Sequence, residues 1–213
     1  MYFKTSTSII IPKPNKASHN TPKTFRPIVL LNILGKLIEK VISNKLQFQV
    51  LSKNIIHSCQ LDRLKQCSMT NASIVLTHLI WVGWVKNCST NTLTFDIIQF
   101  FLSLNHQMLL LILNKTGFDP KISHFFSNYL VGRKTKYLWN DFSSPFFDVN
   151  IGIGQGLVLS PILSVLYLSL VFYIFEKRLK KLKITVFVIS FVHNSLFISQ
   201  NKFFSYFELK SFL

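Results

Sequence analysis

Four groups of residues in this chain could do chemistry. Leu93, Phe95 and Ile97 alternate with Thr92, Thr94 and Asp96, so the Asp96 carboxylate lies on the polar face of a half-buried strand. A carboxylate there can bind a metal ion, terminate the strand or serve as a cap. Further on, His193-Asn194 stands between two β-rich runs, Ile184–Phe191 and Ser195–Ser199, which is a hairpin pattern. An imidazole nitrogen suits Zn²⁺ better than Mg²⁺, and a carboxamide offers only a neutral oxygen. The third group is cationic: Lys13 and Lys16 in a Pro-rich loop, with Arg26 after it, could meet phosphate oxygens. The fourth is the turn Gly152-Ile153-Gly154-Gln155-Gly156, whose glycines permit close approach of backbone to a substrate.

These groups need elements to hold them. Tyr2–Ile11 reads as an extended segment, ended by Pro12-Lys13-Pro14-Asn15-Lys16. Asn32–Leu51 has a helical period, with Ile33, Leu34, Leu37, Ile38, Val41, Ile42 and Leu46 on one face and Lys36, Glu39, Lys40 and Lys45 opposite. Further helices are expected over Asn71–Val85, His106–Lys115 and Pro120–Val131. Strands are expected over Thr92–Ile98, Lys134–Trp139 and Phe146–Ile151, and the two β-rich runs complete the order. Such an order predicts an α+β fold.

The chain has 213 residues, with 24 Lys+Arg against 8 Asp+Glu, a formal charge of +16. That surplus points to a polyanionic partner, nucleic acid or an anionic membrane, or to cations scattered over solvated faces. Leu157–Phe175 runs without a charge and ends near Lys177, Arg178, Lys180 and Lys181, as a membrane anchor would. Ser160-Pro161 interrupts it, and a buried core helix is the expected reading. Cys59, Cys67 and Cys88 form no CxxC pair, and neither His106 nor His124 shares a metal spacing with His193. Reduced, intracellular thiols are therefore expected, nucleus and cytoplasm not being distinguishable, and Met1–Ile11 lacks the pattern of a secretory signal. Lys, Asn, Ile and Phe abound while alanine occurs only at Ala17 and Ala72, the bias of AT-rich codons.

Four stretches, in this order, resemble the reverse-transcriptase domain of non-LTR retrotransposons. IIIPKPNKASHNTPKTFRPIVLLNILGKLIEKVI (Ile9–Ile42) is similar to the fingers block I-P-K-P-x-K, Y/F-R-P-I-x-L-L and G-K. HSCQLDRLKQCSMTNA (His57–Ala72) keeps Gln60, Ser68 and Ala72 of Q-F-G-F-R-x-x-R-S-T-x-D-A, but has Asp62, Cys67, Met69 and Asn71 where Gly, Arg, Thr and Asp are usual. LTFDIIQFFLSLNHQMLL (Leu93–Leu110) aligns Asp96 with the family's first metal-binding aspartate, with Phe100 for the usual Ala and Leu102 for the second Asp. SSPFFDVNIGIGQGLVLSPILSVLYLSL (Ser143–Leu170) resembles S-x-x-F-x-V-x-x-G-V/I-P-Q-G-S-x-L-S-P-x-L-F, the most specific match, with Gly154 in place of Pro and hence a looser turn expected.

The resemblance covers about 190 residues, from Ile9 to near Ser199. It implies the fingers and palm of a right-hand polymerase, an antiparallel palm sheet packed on helices and the thumb missing. Residues 1–92 would be fingers-like, and 93–213 palm-like and truncated before the thumb. The implied activity is RNA-directed DNA polymerisation by two-metal phosphoryl transfer, with Mg²⁺, a deoxynucleotide and an RNA or DNA template–primer. Lys13, Lys16 and Arg26 would meet nucleotide or template phosphates, Gln155 and Gly156 the nascent pair, and Asp96 the metals. The family's catalytic hairpin reads F/Y-A-D-D; here it reads Phe191-Val192-His193-Asn194, so both aspartates are replaced and an inactive copy is expected. Two alternatives stand beside it: a non-enzymatic basic RNA- or DNA-binding module, and a small membrane protein anchored by 157–175.

Overall fold

A computed structural model describes residues 2–61, 68–182, 186–191 and 194–201. The chain forms two compact units, each built from two separate stretches: Met1–Ile55 with Gln99–Tyr167, and Ile56–Ile98 with Leu168–Leu213. The α+β expectation holds: runs of strands and runs of helices follow one another, and the strand pairing is mainly antiparallel.

In the first unit β1 (Thr5–Pro12) pairs antiparallel with β2 (Phe25–Leu30), from Thr7 opposite Leu30 to Pro12 opposite Phe25. On its other side β1 pairs parallel with β4 (Lys134–Trp139), Thr5 opposite Lys134. Short strands β5 (Phe142–Ser143) and β6 (Phe147–Asp148) pair with β4. The strand expected over Phe146–Ile151 is thus reduced to two residues. Gly152 takes φ +81 there, its N–H bonds the Leu104 carbonyl at 2.7 Å, and the chain leaves the sheet.

α1 (Ile33–Ser52) starts at Asn32, whose side chain accepts from the Gly35 N–H at 2.6 Å. Its buried stripe corrects the expected face. Gly35, Glu39, Ser43, Leu46 and Val50 are buried, while Ile33 and Leu37 are 86% and 60% exposed. The i, i+4 stripe is set by Glu39, which bonds inside the unit and turns the neighbouring aliphatic row outward. α3 (Phe100–Ser103), α4 (His106–Lys115) and α5 (Pro120–Leu130) carry Phe100, Leu109, Leu113, Ile122 and Phe126 into the core. Asn105 and Asp119 cap α4 and α5 through side-chain bonds to Met108 and Lys121 N–H groups.

In the second unit β3 (Ser89–Asp96), β8 (Asn194–Asn201) and β7 (Phe187–Phe191) form an antiparallel sheet in the order β3-β8-β7. The hairpin reading places Thr92–Ile98 beside Ile184–Phe191 in one sheet; β3 and β7 do share a sheet, but β8 lies between them and pairs with both. Phe197 of β8 makes edge contacts with Phe95 of β3 and Phe175, with centroids 5.1 and 4.9 Å apart. α2 (Met69–Val85) packs on β3 and β7 and opens with a Ser68 cap. Gly83 is its one buried residue, and a Cβ there would run into the Thr90 hydroxyl and Gln200. The Gln200 amide donates to the Leu79 carbonyl. Residues 59–61 add a parallel bridge beside β7, with Ser190 N–H to Cys59 O at 2.8 Å and Leu61 N–H to Ser190 O at 3.0 Å.

α6 (Ser160–Leu182) contains most of the uncharged run 157–175. Ile162, Leu163, Val165, Leu166, Leu168 and Phe172 are buried, and the helix ends in Glu176, Lys177, Arg178, Lys180 and Lys181. Among the described residues no helix is long and apolar enough to cross a membrane.

Candidate functional site

The register of the second sheet decides where Asp96 sits. Asp96 ends β3 and Asn194 begins β8, and the two are direct partners across the antiparallel pair. Phe191, the last residue of β7, faces Asn194 from the other side. Directly opposed residues leave the same face of a sheet with Cβ atoms about 4.5–5.5 Å apart. Both Asp96 and Asn194 are exposed. His193 lies outside the described residues, as do Asp62 and Cys67 of the second motif. Among the described residues, no group of three or more His, Cys, Asp or Glu side chains could hold a metal ion.

Gln60, which the second motif retains, is buried and accepts from the Ser169 hydroxyl. Ser169 also accepts from the His57 N–H at 3.1 Å, and His57 Nε2 lies 3.0 Å from a Glu176 carboxylate oxygen. Hydrogen bonds from Lys180 and then His57 hold Glu176 below the ordinary carboxylate range. This network braces the segment that bridges β7, and it has no reactive group at its centre.

The first unit holds the cationic and glycine-turn residues. Lys13 follows β1; its N–H bonds the Thr24 carbonyl at 2.8 Å and its ammonium donates to Lys23 O at 2.6 Å. Lys16 is exposed in the loop, and Arg26 is exposed on β2 opposite Ile11. Phe25 beside it stacks edge-on with His19 and Trp139, both at 5.6 Å, which stiffens the base of this hairpin. The turn is pinned to β2: Val29 N–H donates to the Gln155 carbonyl at 2.7 Å. Gly156 has φ +100, and a Cβ there would meet Ile28 at 3.1 Å. Arg26, Gln155 and Gly156 are thereby tied to one strand.

Gly154 corrects the expectation of a loose turn. A Cβ on it would lie 2.7 Å from the Val29 methyl, and Leu157 closes the other side, so the space of the usual Pro is already filled. Val29, Leu31 and Leu157 form a small core there. His106, in the third motif, holds the same loop from below, with Nε2 at 2.6 Å from the Gly152 carbonyl.

Sequence reasoning missed a deeply buried carboxylate of this unit. Glu39, 1% exposed, accepts from the Tyr129 hydroxyl and from the N–H groups of Val158 (2.8 Å) and Leu159 (3.3 Å), just ahead of α6. A carboxylate there complements the helix N-terminus. Arg133 lies over the Tyr129 ring, 4.2 Å from its centroid. Burial raises the Tyr129 phenol well above its ordinary value, opposed by Arg133 and reinforced by Glu39. The available signal was Glu39's place among only 8 acidic residues in a basic chain.

Residues 11–202 match the family described as reverse transcriptase (RNA-dependent DNA polymerase). The probable RNA-directed DNA polymerase from transposon X-element of Drosophila melanogaster is 27% identical over 159 residues, 74% of this chain and 17% of that protein. The corresponding protein from transposon BS of the same organism is 28% identical over 162 residues, 76% of this chain and 18% of that protein. The chain thus spans less than a fifth of the curated relatives it matches. Telomerase from Candida tropicalis, in complex with a TWJ fragment of telomeric RNA, is similar in fold with TM-score 0.69 at 16% identity, covering 99% of this chain and 37% of that one. Apo telomerase of that organism, truncated from its C-terminal domain, gives TM-score 0.66 at 16% identity over 94% of this chain and 44% of that one. The fold is that of reverse-transcriptase fingers and palm, and the chain belongs to the reverse transcriptase family.

Proposed function

We propose that this chain is a retrotransposon reverse-transcriptase domain that keeps the fold for handling template–primer but has lost the capacity to polymerise DNA. Residues 1–92 are read as fingers-like and 93–213 as palm-like. The observation that carries the proposal is the pairing of Asp96 with Asn194, a carboxylate facing a neutral amide. Polymerases of this family use divalent metal ions, which activate the attacking hydroxyl and neutralise the triphosphate. Mg²⁺ demands anionic oxygen ligands in near-octahedral geometry. One carboxylate, a carboxamide and the histidine at 193 do not fit that demand, so no catalytic step is assigned through a metal here.

Lys13, Lys16 and Arg26 support the retained part of the function, as cations for nucleotide or template phosphates. Gln155 and Gly156 are assigned to the nascent pair. The hairpin and the turn are braced by hydrogen bonds and packing, which supports a preserved binding surface rather than a collapsed one. Losing a single well-placed electrostatic group costs about 10²–10³ in rate, so replacement of two ligands should cost at least that.

The test is primer extension on an RNA template with Mg²⁺ or Mn²⁺, run on this chain and on the His193→Asp/Asn194→Asp double variant. No extension by the unaltered chain is expected. Template-dependent extension above a heat-killed control would overturn the inactive reading. Binding of the same template–primer, measured at two salt concentrations, should weaken steeply with salt because phosphate contacts release counterions. A flat response would remove the nucleic-acid role.

A further inference from the structure

In the first unit, a buried guanidinium has one nitrogen without an acceptor. Arg133 is 6% exposed, and its Nη1 is buried with no hydrogen-bond partner among the described residues. Its guanidinium carbon rests on the Tyr129 ring, a weak substitute for an anion. Arg133 lines a cavity of about 340 Å³, walled on one side by Ser8 and Thr135 and elsewhere by Val29, Leu102 and Leu163. This volume lies within the roughly 300–1,000 Å³ of small-molecule sites, and its surface is more apolar than polar.

Four side-chain acceptors of this unit are already engaged. The Ser8 and Thr135 hydroxyls bond each other at 2.8 Å. Asp148 also lines the cavity, but it is largely exposed and lies 3.7 Å from the Lys134 ammonium. Glu39 spends both oxygens on Tyr129, Val158 and Leu159. An unpaired donor on a buried cation is costly, so a bound acceptor would be favoured. A planar guanidinium edge matches a carboxylate, and a single positive charge balances a monoanion. A phosphate dianion would enter this apolar space with uncompensated charge, which is unfavourable.

We propose that this cavity binds a small organic monocarboxylate, its oxygen accepting from Arg133 Nη1 and its apolar body lying against Val29, Leu102 and Leu163. The assignment is independent of polymerase ancestry and of template binding.

The test uses the full chain and sodium octanoate below its micellar concentration, against sodium chloride at equal ionic strength. Titration calorimetry should show saturable one-to-one binding. Thermal unfolding should shift up by about 3–6 °C at ten times Kd. Inorganic phosphate should produce neither effect. Arg133→Met should weaken octanoate at least tenfold. Leu102→Asp, which places a fixed carboxylate in the cavity wall, should weaken it at least tenfold while leaving the chain folded. If Arg133→Met does not fold, Leu102→Asp decides: unchanged affinity in that variant overturns the site. Absence of saturable binding, or displacement of octanoate by an RNA oligonucleotide, overturns it as well.

Discussion

Replacing Glu39 by leucine should destabilise the protein by about 3–5 kcal/mol, the range for removing one member of a buried polar network. Three donors converge on this carboxylate: a phenol that is 5% exposed and two N–H groups ahead of α6. Each buried donor left unsatisfied costs about 1–3 kcal/mol. Relief from burying the charge, together with the added apolar contact, offsets part of that sum and keeps the net within the stated range. Glu39→Gln keeps the shape but presents an NH₂ where an acceptor is needed, so about 1–2 kcal/mol is expected. Tyr129→Phe removes one donor and leaves the carboxylate its two backbone bonds, for about 1 kcal/mol. The assay is urea unfolding at neutral pH by far-ultraviolet circular dichroism, with a Glu39→Gln/Tyr129→Phe double-mutant cycle. A total stability of 5–15 kcal/mol makes these differences measurable. If Glu39→Leu falls within about 0.5 kcal/mol of the unaltered protein, the network is ornamental and the account of the α1 face is wrong.

Two further outcomes follow from single residues. Gly152→Ala should destabilise by about 2–4 kcal/mol in the same urea assay, because it strains a φ of +81 and sets a Cβ 2.6 Å from the Leu102 carbonyl; Gly117→Ala, with open space around it, should cost less. Burial pushes the Cys59 thiol up to about 12 from 9.0, so at pH 8 it carries about a thousandfold less thiolate than an ordinary thiol. Alkylation mapped by mass spectrometry should label Cys88 well before Cys59. Because the folded value is the raised one, the stability Cys59 contributes is complete below about pH 9 and is lost as pH rises toward 12; equal labelling at pH 8 would refute its burial.

Much of this fold was legible in the residues. Alternation over Leu93, Phe95 and Ile97 marked β3, and the helices expected over His106–Lys115 and Pro120–Val131 match α4 and α5 nearly to the residue. These elements announce themselves because local periodicity and tertiary burial agree. The α1 face was misread because periodicity finds an apolar stripe but cannot see a carboxylate whose partners lie 90 and 119 residues away. Strand order failed for a similar reason: β7 and β8 lie close together in the sequence, yet nothing local says which of them β3 will join. For the candidate site, alternation and hairpin spacing brought out Asp96 and Asn194, whereas the orphaned Arg133 needed coordinates, since a Gly-Arg-Lys triplet looks like ordinary surface charge.

The parallel pairing of β1 with β4 has a kinetic consequence. Thr5 waits for Lys134, 129 positions later in the chain, before the inner edge of β1 is covered. At ribosomal speeds of about 5–20 residues per second that delay is on the order of ten seconds. During it the β1–β2 hairpin presents an open strand edge bearing Ile9 and Ile11, a template for pairing with other nascent chains. Such long-range closure also slows spontaneous refolding, since loop entropy is lost before the ladder forms. Dilution from denaturant should therefore recover native protein in a strongly concentration-dependent yield, and a chaperone that shields strand edges should raise it.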